Sequence, residues 1–157
     1  MRIDERIEEQ VRKAFSAVVG KDGDEMVAAV SELTEDDAQT ALGYALFVVG
    51  YIVNEAFPDG PSESDLRSMA DDIVSGVSEW VNIGSVDSVA ALLGAAGSGD
   101  TTFDGITQDD LPGMAFVTGG YLLARYRLKD QRWWEYLNEI WARAEQTPDP
   151  RVGGTTD

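Results

Sequence analysis

Apolar residues recur along this chain at the three-to-four-residue spacing of amphipathic helices, and no strand-like alternation persists. Ile3, Ile7, Val11, Phe15 and Val18 form a first stripe that ends at Gly20-Lys21-Asp22-Gly23. Asp24 is placed to cap a short second helix carrying Met26, Val27, Val30 and Leu33. Thr34-x-x-Asp37 reads as a capping box opening a third helix that runs to Phe57, where Pro58-Asp59-Gly60-Pro61 stops it. Ser62-x-x-Asp65 opens a fourth, with Leu66, Met69, Ile73, Val77 and Trp80 on one face. Ser85 caps a short fifth bearing Val86, Val89, Leu92 and Leu93. A polar loop from Gly97 to Ile106 follows, and Thr107-x-x-Asp110 opens a sixth with Pro112 in its first turn. A final segment holds Trp133, Leu137, Ile140, Trp141 and Ala144.

The predicted fold is therefore all-α, six to seven helices in one bundle. The halves also resemble each other. A shift of 62 places Ile7, Val11, Phe15 and Val18 on Met69, Ile73, Val77 and Trp80, and Val27–Val30 on Val89–Leu92. A shift of 70 lays Leu42–Val53 on Pro112–Leu123, so that Gly43, Ala45, Gly50 and Tyr51 recur as Gly113, Ala115, Gly120 and Tyr121. Fixed-offset similarity of this kind is the mark of repeated units. It divides a single domain over 1–146 into repeat 1 (about 1–57), repeat 2 (about 62–128) and a C-terminal helix (about 130–146). Residues 147–157, TPDPRVGGTTD, lack apolar anchors and read as a disordered tail.

Glycine inside a helix costs about 1 kcal/mol relative to alanine, so paired glycines on apolar helices imply close approach. The expectation is that Gly43, Gly50, Gly113 and Gly120 let the third and sixth helices pack together across a pseudo-two-fold axis; the competing reading is room for a ligand there. No Gly or Pro interrupts Tyr121 to Gln146, so the last two helices are either one rod on the order of 55 Å long or broken near Lys129-Asp130 with Asp130 as cap. The break is preferred, because such a rod would protrude from a domain of this size.

At 157 residues the chain can bury roughly two-thirds of its unfolded surface. It contains neither cysteine nor histidine, which excludes disulfides, zinc–thiolate sites and imidazole chemistry. The formal charge is −17, and its excess lies between Ala14 and Ala124, where only Lys21 and Arg67 stand against nineteen acids. Such a field repels nucleic acid and anionic membranes and suits a basic protein partner. The longest uncharged run, Ala38 to Asn54, is shorter than the roughly 20 residues of a span. With no apolar stretch at the start, the expected location is the cytoplasm.

Three constellations could carry chemistry. Asp100-x-Thr102-x-Asp104-Gly105 is the first half of a calcium loop, but Leu111 stands where a bidentate acid belongs. An ordinary polar loop is the expectation, and Asp100, Asp104 and Asp110 are its weak metal alternative. Glu5/Glu8/Glu9, Glu32/Glu35/Asp36 and Asp71/Asp72 are carboxylate groups that a metal-dependent hydrolase of a phosphorylated small molecule would need. Capping and solvation explain most of them, and Asp72 and Glu55 are explained least. The third is ARYRLKDQRWWEYLNEIWA, residues 124–142, a basic cluster followed by three of the four tryptophans. Arginine and aromatic residues anchor interfaces, and Trp134, about 100° round the helix from Trp133, is hard to bury with it. Arg125, Arg132, Trp133, Trp134, Tyr136 and Trp141 are the candidate interface; the competing reading is that Trp133, Leu137, Ile140, Trp141 and Ala144 simply cap the six-helix core. The expectation is a non-enzymatic, homodimeric interaction module that requires no cofactor.

Overall fold

The computed structural model describes residues 2–100, 103 and 105–146. Among them the chain is all-helical: α1 (Glu5–Val19), α2 (Gly23–Ser31), α3 (Glu35–Ala56), α4 (Glu63–Val77), α5 (Val86–Ser98), α6 (Leu111–Tyr126) and α7 (Trp133–Gln146), with no strand. No helix there is long and apolar enough to cross a membrane. Residues 147–157 and Asp104 lie outside the described residues.

Most helix starts follow from local chemistry. Thr34 Oγ1 accepts the Asp37 N–H at 3.2 Å, and Ser85 Oγ accepts that of Ser88 at 3.1 Å. Ser62 and Asp65 exchange both bonds of a capping box. Three expected caps fall elsewhere. Lys21 takes a left-handed conformation (φ 61°) after α1, so Asp22 rather than Asp24 reaches the first turn of α2 and accepts the Glu25 N–H. Thr107 accepts the Asp110 N–H at 3.2 Å, but that turn precedes α6. Pro112 has no N–H to donate to the carbonyl four residues back, so regular helix restarts at Leu111. Asp130 caps nothing in α7; Glu135 Oε1 accepts the Arg132 N–H at 2.9 Å instead.

The last two helices are separate. Arg127 leaves the helical region (ψ 155°), and Gln131 ties the corner by accepting the Leu128 N–H on its side chain and the Arg127 guanidinium on its carbonyl. A turn held at both ends makes the break a built feature.

α3 is the central element, packed by α1, α5, α6 and α7. Val48, Val49 and Ile52 meet Phe15, Phe116, Leu122 and Leu137 in a core whose members are all but inaccessible to water. α7 closes over α1 and α3: the Trp141 indole donates to Glu8 at 2.8 Å and packs edge-on against Tyr44, while Arg12 donates to Asn138.

α1–α2 and α4–α5 each pair as hairpins, and α3 does pack on α6. The surroundings are not two-fold: among the described residues α6 packs on α1 and α3 on α5, without comparable α4–α3 or α2–α6 contacts. The glycines show why. A Cβ on Gly50 would clash with the Ala96 carbonyl oxygen of α5, and one on Gly120 would stand 2.6 Å from Val18 of α1. Gly43 and Gly113 would meet nothing within 4 Å. None of the four is the α3–α6 contact expected of them.

Candidate functional site

α3 is apolar on more of its circumference than its neighbours cover. Ala41, Tyr44, Ala45, Val48, Val49, Ile52 and Val53 face the core, while Leu42, Leu46, Phe47 and Tyr51 remain half-buried on its flank. α5 crosses that flank near one end, pinned by the close approach at Gly50 and by the Asn54 side-chain amide, which donates to the Gly97 carbonyl at 3.1 Å. α5 then stops at Gly99 in the left-handed conformation (φ 76°), with the Asp100 N–H returned to the Ala95 carbonyl.

These elements leave a groove of about 1040 Å³ beside α3. Its other wall is the end of α5 from Ala96 to Asp100, with Phe103, Gln108, Leu111 and Pro112. Gly43 lies on the α3 side, where a missing Cβ keeps the floor open. Among the described residues its polar groups are Gln39, Tyr51, Asn54, Glu55, Ser98, Asp100 and Gln108, which include two acids and no base. The C-terminal ends of α3 and α5 add the negative ends of their dipoles, set against the positive end of α6 at Leu111 and Pro112. Such a lining favours an occupant with an apolar body and positive charge.

Glu55, with Asp72 one of the two least explained acids of the sequence, lies near a phenolic cluster at that end. Burial, and then the Glu55 carboxylate, push the Tyr136 hydroxyl well above the ordinary phenol value, and the same two influences raise Tyr51. Both phenols therefore stay protonated near neutral pH, as hydrogen-bond donors rather than bases.

The interface residues expected from sequence divide. Tyr136 and Trp141 are buried (6% exposed each) and Trp133 is half-buried, so these three serve the core. Tyr136 and Trp141 both fall on the inward face with Leu137, Ile140 and Ala144. Arg125, Arg132 and Trp134 are exposed. Sequence reasoning missed Leu128, 70% exposed at the tip of the α6–α7 corner. With Tyr126 and Trp134 it accounts for three of the four exposed large hydrophobic residues among those described.

Asp100 lines the groove and Asp110 a smaller cavity beside Gly113 and Met114. Among the described residues no group of three carboxylates is placed to hold a metal ion. Glu8 binds Arg12 and Trp141, Glu32 accepts from Gln10, and Asp37 holds Arg6 at 2.6 Å. That guanidinium, chiefly by its hydrogen bond, keeps the Asp37 carboxyl below its usual range. Comparison with known proteins yields no matching family model, no matching curated protein and no matching solved structure.

Proposed function

We propose that this chain is a non-enzymatic interaction module, working as a homodimer and offering its acidic body to a basic protein partner. The observation that carries the reading is the basic, apolar-tipped corner on an otherwise acidic chain. Arg125, Arg127, Lys129 and Arg132 surround Tyr126 and Leu128, with Trp134 two residues beyond. Exposed apolar residues gathered in one place, with arginine and aromatic character, suit a contact surface. Duplication of a three-helix unit belongs to the same reading, supported by the matching Gly50-Tyr51 and Gly120-Tyr121 pairs and by the two hairpins.

Light scattering should give twice the chain mass; a single-copy mass at roughly millimolar concentration would remove the homodimer. Magnesium or manganese, compared with sodium chloride at matched ionic strength, should leave the melting temperature unchanged. A metal-specific rise would instead favour a carboxylate-metal hydrolase.

A further inference from the structure

We infer that the α6–α7 corner of one copy docks into the α3 groove of a second copy, and that the exchange is reciprocal. The inference rests on the homodimeric reading above and says where the copies meet.

The corner has the form of an anchor. Leu128 stands out into solvent from a turn that Gln131 holds on both sides, so little conformational freedom remains to be lost on docking. From 125 to 132 the chain carries four bases and one acid, Asp130, the reverse of the balance elsewhere. The groove is largely the complement: apolar walls from Leu42, Leu46 and Phe47, with Glu55 and Asp100 as its charged lining residues and Arg143 close enough to Tyr51 to act on it. No residue of the corner lines the groove of its own chain.

Charge also selects this arrangement over others. Two copies at −17 repel wherever acidic faces meet, and the corner is the densest group of bases available to offset that. Each copy owns both a corner and a groove. A two-fold operator that seats one corner therefore seats the other, doubling the contact and closing the assembly at two copies.

The test is a charge swap at exposed positions, followed by sedimentation velocity of the full chain. Lys129→Glu with Arg132→Glu reverses the corner and leaves the Arg127–Gln131 turn intact. Glu55→Arg with Asp100→Arg reverses the groove. Each double variant alone should dimerise at least about tenfold more weakly. An equimolar mixture should recover the dimer, because reversed corner then meets reversed groove and native corner meets native groove. Circular dichroism checks that both variants stay helical. Dimers that persist in both variants, or a mixture that fails to recover them, would overturn this docking and leave the homodimer standing. A wild type that stays single-copy would overturn the homodimer itself.

Discussion

At the scale of single residues, two glycines seven positions apart on one helix do opposite jobs. Gly50 is required by contact: an added methyl would press on the backbone of α5, which cannot swing aside as a side chain can. Gly50→Ala should therefore lose about 1–3 kcal/mol despite its better helix propensity. Gly43 has open space above it, so Gly43→Ala should gain up to about 1 kcal/mol while narrowing the groove. Urea unfolding of the two variants checks both signs at once. The sequence marks these glycines as unusual because each costs helix stability, but not what each admits. That depends on which helix crosses there, a property of the packed molecule.

Among the elements, α7 shows what was legible and what was not. Its inward stripe of Trp133, Leu137, Ile140, Trp141 and Ala144 could be read from spacing, and it packs as read, with Trp133 at its half-buried edge. Tyr136 could not be assigned, because it sits at the border of that stripe and its burial depends on α3 lying alongside. Caps at Thr34, Ser62 and Ser85 were legible because four consecutive residues decide them. The start of α6 was not legible, because Pro112 outweighs the Thr107 signal. Tyr136 also sets a pH dependence. Its folded value lies above the ordinary 10.0, so the unfolded chain loses its phenolic proton first. The contribution is whole below about pH 10 and is lost as pH rises toward the folded value. Stability should fall by up to about 1.4 kcal/mol per pH unit from this one group. Tyr136→Phe should flatten that slope, measured by urea unfolding from about pH 9 to 11.

For the whole molecule, the all-helical class was legible because periodicity and the absence of alternation are global signals. The groove was not. α3 reads simply as an apolar helix, and an uncovered flank appears only when α5 ends short of it. Charge acts at this scale too. Of the Arg6–Asp4, Arg6–Asp37, Arg12–Glu8 and Arg67–Asp87 ion pairs only Arg12–Glu8 has both partners largely shielded, so the −17 is mostly solvated and self-repelling. Raising sodium chloride from about 0.01 M to 0.5 M should screen this repulsion. We expect a gain of about 1 kcal/mol, or roughly 3 °C in melting temperature, seen by calorimetry.

The clasp between the first and last helices bears on how the protein is made. Glu8 waits for Trp141, 133 residues downstream, and Arg12 for Asn138, 126 downstream. On the ribosome α1 emerges with Asn138, Trp141 and part of its apolar cover still to be translated. The hairpins can form as they appear, since their contacts are local, but the barrel of helices shuts only once α7 has cleared the exit tunnel. Shortening the chain within α7 should therefore do more than trim a surface. It would leave α1 with an exposed seam, and the product would be a sticky intermediate for chaperones to hold.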